Sequence, residues 1–475
     1  MTTPLKRLVC GAGALVLVLL AGCAVGPNYH RPTVDSPSTF RDDLSPITNS
    51  FADLAWWQVY QDDTLQALVR DAFTNNYDLR IAVARVEQAA AVAAQARSQF
   101  VPSVNYNGVV SRGRNDLLGS AYPANGGMFS SAATTLNAFW EVDLWGRVRR
   151  LNEAARAEFL ASAEARRGVR LAVLGAVATD YFDLLELDQE LKIARSATNS
   201  FSDSLKIFTQ RLQGGTASDL ESSRAEAALA DAVSAIPSIE EETTETENEL
   251  CLLLGRNPGP IARPGVAVVT LPPEIPAGLP SSLLERRPDV REAEEDLRAA
   301  NAQIGESVAE FFPTIGLTAL LGKVSPQLST FTLGGANAWG VAAEASGPLF
   351  DGGRLVGQYH QARAARDAAR LQFQQTALTA LRDVSNALIR RERLGEIREQ
   401  QAREVAALER AVKVSTQRYL AGKASYYEVL EAQQQLFPAQ LDLARTERDQ
   451  RLVIVVLYKA LGGGWNDEAK PNPRS

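Results

Sequence analysis

FFPTIGLTALLG, residues 311–322, follows a charged, alanine-rich run of helix formers, opens its extended part with a proline, and then strings out small and aliphatic residues. FVPSVNYNGVV, residues 100–110, makes the same switch after another alanine-rich run. In the earlier copy Val104, Tyr106 and Val110 alternate with Ser103, Asn105 and Asn107. Leu136, Ala138, Trp140 and Val142 alternate in the same way with Thr135, Asn137, Glu141 and Asp143. Period two with one apolar face fits a transmembrane barrel strand of about 9–11 residues whose polar face looks into a lumen. Ile315 to Leu321 and Trp339 to Ala345 alternate less cleanly. Taken alone, such short segments fit a soluble sheet as well, so compartment and chain organisation must decide.

The N-terminus supplies the compartment. Lys6 and Arg7 make a short positive region, Leu15 to Leu20 an apolar run of signal-peptide size, and Leu20-Ala21-Gly22-Cys23 a small-residue processing site ending in cysteine. This resembles a bacterial lipobox, which implies removal of residues 1–22, lipid on the Cys23 thiol and an anchored N-terminus. Ala24 stands where an inner-membrane retention signal often has aspartate, which by the same resemblance points to the outer membrane. The apolar run is too short to span a bilayer. Cys10 leaves with the signal, so Cys251 is the remaining thiol, in NELCLLLG, where it reads as a small buried hydrophobe. No disulfide framework or metal cluster is expected.

The chain is duplicated. Gln210-Arg211 matches Gln417-Arg418, Gly215 matches Gly422, Ala217-Ser218 matches Ala424-Ser425, and Leu254-Gly255 matches Leu461-Gly462, all at an offset of 207 residues. Gly146-Arg147 and Gly353-Arg354 keep it. Upstream the offset is 211, pairing Asp78 with Asp289 and Pro102 with Pro313. The first repeat is placed at 61–257, with strands at about 101–114 and 131–144 and a helical hairpin at 147–255. The second is placed at 281–462, with strands at about 313–323 and 338–348 and a hairpin at 354–462. Segment 23–60, a linker at 258–280 and a tail at 463–475 flank them.

Each repeat holds a very long helix. Arg147 to Gln213 contains no proline, and 67 residues at about 1.5 Å rise make a rod of roughly 100 Å. Leu184, Leu187, Leu191, Ala194, Thr198, Phe201, Leu205, Phe208 and Leu212 step three and four alternately, a coiled-coil seam with one polar member. The second repeat keeps Val405, Leu408, Val412 and Tyr419 but sets Arg391, Arg398 and Gln401 at matching positions. GGTAS at 214–218 and AGKAS at 421–425 put glycine where a helix C-terminus needs a left-handed residue and serine where the next helix needs an N-cap. Gly214, Gly215 and Gly422 therefore mark the hairpin tips. Pro237 and Pro438 are expected to kink or break the return arms.

Composition excludes other classes. The chain has 475 residues but only 7% aromatics, with 33 Gly and 22 Pro, little material for one large globular interior. Net charge is −7, from 49 basic and 56 acidic residues, and no long basic run would track a phosphate backbone, so no nucleic-acid partner is expected. His30 and His360 are expected in solvent, without a serine or cysteine nucleophile beside either. GGANAWG lacks a following helix start and reads as loop rather than a phosphate cradle. No catalytic residue, metal site or cofactor beyond the lipid is expected, and the chain is not read as an enzyme.

Two strand pairs make four strands, and four cannot close a barrel. An open edge in lipid leaves backbone groups unpaired at several kcal/mol each. The barrel must be shared, with eight, twelve or sixteen strands for two, three or four chains.

AWWQVYQDDTLQALVRDAFTNNYDLRIAVARVEQA (55–89), VGPNYHRP (25–32) and LLERRPDVREAEEDLRAANAQIGESVAEFFPTIGL (283–317) resemble the TolC-like outer-membrane factors, in the lipoprotein branch that serves RND-type efflux pumps. The likeness spans nearly the whole mature chain. It implies a mainly α fold with a small β part: a homotrimer with a shared 12-stranded outer-membrane β-barrel and a periplasmic α-barrel of paired hairpins. It also implies a periplasmic adaptor, an inner-membrane RND-type transporter and outer-membrane lipid as partners, with drugs or toxic compounds as cargo. By the family pattern Glu428 and Glu431, after the second turn, line the periplasmic aperture, with Tyr419 just before it; three residues apart, they share a helix face. Arg211 and Arg418 are candidates for a tip network, with Asp219 and Glu221 as partners. A protein-secretion outlet of type I kind, and a tethered coiled-coil structural lipoprotein, stay open as alternatives; a rod, however, has no use for two alternating strand pairs.

Overall fold

The computed structural model of the chain describes residues 24–35, 37, 54–59, 61–114, 128–216, 218–264, 280–325, 331 and 336–463. The signal segment, Cys23, residues 265–279 of the linker and 464–475 of the tail lie outside the described residues. In chain order the elements are α1 (Trp56–Val59), α2 (Asp63–Asn75), α3 (Tyr77–Ser98), β1 (Ser103–Arg114), β2 (Met128–Val142), α4 (Arg147–Gln213), α5 (Asp219–Leu253), α6 (Pro280–Arg286), α7 (Pro288–Ala309), β3 (Thr314–Ser325), β4 (Ala336–Ser346), α8 (Arg354–Leu420) and α9 (Tyr426–Ala460). Two compact units divide the chain. One takes residues within 1–33, 85–163 and 292–373; the other takes residues within 34–84, 164–291 and 374–475.

The first unit carries the sheet. Its order is β1-β2-β3-β4, antiparallel throughout, so among the described residues β1 and β4 each keep one unpaired edge. Register sorts the side chains into two faces. Tyr106 pairs with Leu136, Leu136 with Leu321, and Leu321 with Trp339; one step along, Val104, Ala138, Ala319 and Val341 make a second apolar rung. Trp140, Leu317 and Ala343 make a third. The opposite face is mixed: it carries Asn105, Asn137 and Asn107, with Thr135, Thr318 and Glu344, but also Val109, Phe139 and Leu320. Thus β3 and β4, ambiguous as sequence, share the apolar face of β1 and β2. Among the described residues nothing covers that face: Tyr106 is 85% exposed and Trp339 77%. Among the described residues, no helix is long and apolar enough to cross a membrane.

The second unit is helical and its core is the seam. Leu184, Leu187, Ala194, Phe201 and Phe208 are buried, with Leu191 and Leu205 packed on the same clusters. Pro237 and Pro438 neither break nor end the return helices, which run through them. A proline inside a helix costs about 3 kcal/mol through a lost hydrogen bond and a steric clash, and packing on both sides offsets it. Ile236 and Ile239 pack with Leu187 and Ala194, Phe437 touches both clusters, and Ala439 is buried.

Polar clamps fix the rest of this unit. Arg263 makes a two-pronged bond to Asp188 (2.6 and 2.8 Å) and a third to Glu247 (2.6 Å). Arg287, buried, holds Asp289 and Asp383 and donates to the Ala460 carbonyl. The Tyr181 hydroxyl donates to Asp62 at 2.8 Å, and Cys251 is buried with its thiol 3.2 Å from the Gly259 carbonyl. Gly255 sits at φ +65°, where an added Cβ would stand 2.4 Å from the Asn75 carbonyl oxygen.

One stripe of α4 is acidic. Asp183, Glu186 and Glu190 face Arg445 and Arg448 of α9, with Glu190 2.8 Å from Arg445 and Glu186 3.6 Å from Arg448. Glu186 and Glu190 are buried. Burial, then the neighbouring Glu190, pushes Glu186 up to about 8. Burial, then Glu249 and Asp183, pushes Asp180 up to about 7.

Candidate functional site

Both hairpin tips are closed by the same backbone device. Gly215 N–H donates to the Leu212 carbonyl and Thr216 N–H to the Arg211 carbonyl; 207 residues on, Gly422 donates to Tyr419 and Lys423 to Arg418. Gly215 and Gly422 both lie at φ +70°. Gly214 is not left-handed; it aligns with Ala421, and its N–H caps the Gln210 carbonyl. An added Cβ at Gly422 meets no atom within 4 Å, so backbone strain alone opposes it. Gly422→Ala is expected to cost about 1–2 kcal/mol, read as a lower denaturation midpoint, and an unchanged midpoint would refute the strained turn.

The return helices start differently. Ser218 and Glu221 form a reciprocal capping box at the start of α5, with Ser218 N–H donating to Glu221 at 2.9 Å and Glu221 N–H to Ser218 Oγ at 3.3 Å. Ser425 is also an N-cap but makes no side-chain cap bond. Glu428 is the repeat equivalent of Glu221 at the same offset, so the carboxylate that α5 spends on its own N-terminus is not so used in α9. Glu428 and Glu431 are both exposed, on one face of α9.

Tyr419 is held from two sides. The Arg211 guanidinium lies over its ring at 4.8 Å, and the Tyr426 ring meets it edge-on at 4.7 Å. Tyr426 in turn meets Phe208 edge-on at 4.5 Å and donates its hydroxyl to Ser204. Ser204 Oγ is 2.8 Å from the Ser200 carbonyl and 3.1 Å from Gln433 Oε1. Burial raises the Tyr426 hydroxyl above the usual phenol range. The arrangement pins the end of α4 to the start of α9.

Arg211 therefore engages an aromatic ring, and Glu221, one of its expected carboxylate partners, is occupied by the helix cap, where it accepts from the Ser218 N–H, which the helix itself leaves without a partner. Asp219 sits in the exposed first turn of α5, and Arg418 is exposed with its carbonyl used by the turn. Sequence reasoning passed over Tyr426, Ser204, Gln433 and the Arg224–Tyr427 stack at 5.3 Å. The Tyr426-Tyr427 doublet just past an N-cap was the available signal. Among the described residues, no group of three or more His, Cys, Asp or Glu could hold a metal ion.

The model of the family "Outer membrane efflux protein" matches residues 68–256 and 279–463. The chain belongs to that family. It is 32% identical to the toluene efflux pump outer membrane protein TtgC of Pseudomonas putida over 462 residues, covering 96% of this chain and 95% of TtgC. With the probable outer membrane lipoprotein SilC of Salmonella typhimurium it shares 30% over 460 residues, 94% and 97% of the two chains. The open state of the MtrE outer membrane channel of Neisseria gonorrhoeae superposes with a TM-score of 0.83 at 28% identity, over 93% of this chain and 99% of MtrE. The two matched segments fall on the two copies of the duplication, and the TolC-like architecture of helical hairpins plus a four-stranded sheet is the one observed. The chain is an outer-membrane efflux channel component.

Proposed function

We propose that three copies of the mature chain, each lipidated at Cys23, form the outer-membrane conduit of a tripartite efflux system. The observation that carries this is the sheet: two unpaired edges and an uncovered apolar face are sustainable in lipid only if neighbouring copies pair β1 with β4 around a closed ring. Three chains give twelve strands, with the apolar rungs outward and the asparagine and threonine face toward the lumen. Native mass of the protein extracted from outer membranes in mild detergent tests this. Three chains are expected, and a clean monomer would overturn the shared barrel.

The helices carry cargo delivered by a periplasmic adaptor and an inner-membrane RND-type transporter, and no covalent chemistry is done on it. Small organic compounds are the cargo class, in keeping with the toluene pump named for TtgC. Glu428 and Glu431 form two stacked carboxylate rings at the periplasmic aperture, beside the Tyr419 lock. Glu428→Gln combined with Glu431→Gln is expected to reduce cation preference severalfold, measured as a reversal-potential shift in single channels under a salt gradient. Unchanged selectivity would remove these residues from the aperture. Cofactors play no part beyond the covalent lipid.

A further inference from the structure

The chain just after Cys23 is built tightly into the corner between β2 and α4. Val25 N–H donates to the Trp145 carbonyl at 3.0 Å. Arg150, buried, donates to the carbonyl oxygens of Val25 (3.3 Å) and Gly26 (3.4 Å) and to Asn28 Oδ1 (2.8 Å). Ala24 lies so close to Gly146 that an added Cβ there would come within 2.7 Å of its Cα. Ala24 is therefore fixed at the foot of the sheet.

The same corner is the base of β3. The Trp145 indole N–H donates to the Pro313 carbonyl at 2.9 Å, and its ring stacks on Phe312 at 4.7 Å. Val142 pairs with Ile315 just above, and Trp140 with Leu317 on the next rung of that face, two residues or about 7 Å further along the strands. An apolar groove of about 440 Å³ opens there, lined chiefly by Pro102, Trp140, Leu317, Ala319, Val341 and Ala343. Alanines between larger side chains make the trough, and the Trp140 indole N–H is already bonded to the Phe100 carbonyl.

We propose that an acyl chain carried by Cys23 lies in this groove of its own chain. The proposal rests on the lipidation reading. A peptide occupant would bring backbone polar groups that this lining cannot satisfy, whereas a hydrocarbon chain brings none. Bulk membrane lipid has the same chemistry, but in lipid there is no hydrophobic preference between one hydrocarbon and another. The tether places the chain: Cys23 directly precedes Ala24, which is held at the foot of this face, so an acyl chain on it starts beside the groove and cannot diffuse away.

The test uses cells fed a fatty acid bearing a terminal diazirine. Full-length protein is purified from their outer membranes, irradiated, digested and mapped. Label on Cys23, with cross-links concentrated in peptides spanning Trp140 or Leu317 to Leu321 of the same chain, is the expected result. Ala319→Trp, and the milder Ala343→Leu, should fill the trough and lower those cross-links at least severalfold. Cross-links only to free lipid, a dimer-sized product joining two chains, or a pattern indifferent to both substitutions would overturn the placement while leaving lipidation intact. Absence of label at Cys23 would instead overturn the lipidation reading, and this placement with it.

Discussion

Phe208→Ala should weaken the tip by about 3–5 kcal/mol, the range for truncating a fully buried aromatic ring. Phe208 is 2% exposed and stands edge-on to Tyr426 within a cluster that includes Phe201, Ala225, Val429 and Leu430. Removing the ring takes away its own burial and the face that orients Tyr426, and through Tyr426 the Ser204 bond and the packing on Tyr419. The expected signature is local. Hydrogen exchange should speed up in the last turns of α4 and the first turns of α9, while the Arg263–Asp188 region stays protected. Phe208→Leu, which keeps most of the apolar volume, should lose far less. If exchange at the tips of the alanine variant matched the parent, the cluster would not be what holds the tip helices together.

Stability should fall as pH rises through the neutral range. Glu186 and Asp180 are raised from 4.5 and 3.8 to about 8 and about 7, so between those limits the folded chain holds protons that the unfolded chain has released. Their stabilising contribution is complete below about pH 4 and is lost as pH climbs through 7 and 8. Each tenfold gain in proton affinity on folding is worth about 1.4 kcal/mol, so Glu186 alone contributes a few kcal/mol across that window. The neighbours set the balance: Arg445, Arg448 and Asp449 from α9, Glu242 and Glu249 from α5. The thermal midpoint should therefore be higher at pH 5.5 than at pH 8.5, and Glu186→Gln should flatten the difference. A midpoint that rises with pH, or a slope unmoved by the substitution, would contradict the buried, proton-holding stripe.

Much of the architecture was legible because it rests on periodic signals. The duplication fixed where equivalent turns must lie, and the three-four spacing of Leu184 through Phe208 named the buried seam residue by residue. The strands of the first repeat were legible for the same reason. Those of the second were legible in place but not in facing: Gly316, Gly322 and the alanines of β4 blur a period-two pattern, and only cross-strand register reveals which face each side chain occupies. The prolines do not break the return arms, because packing on both sides of Pro237 and Pro438 outweighs the local cost. At the tips, sequence supplied the turn glycines and the exposed glutamates but not the aromatic ring that Arg211 engages. Charges near a helix start are as readily used by backbone N–H groups as by an arginine, and the choice between carboxylate and aromatic ring depends on a distance across two helices that no spacing encodes.

The unequal treatment of Glu221 and Glu428 bears on docking. If three chains close the ring, six hairpins meet around its lower rim, and they alternate between a self-satisfied start and one with its carboxylate to spare. The rim then has a threefold axis and no sixfold one, however alike the two turns are in backbone. A partner that grips every hairpin must make two kinds of contact in alternation, and rotating it by one hairpin gives a mismatched seat. The assembly would therefore lock at three rotational positions instead of six.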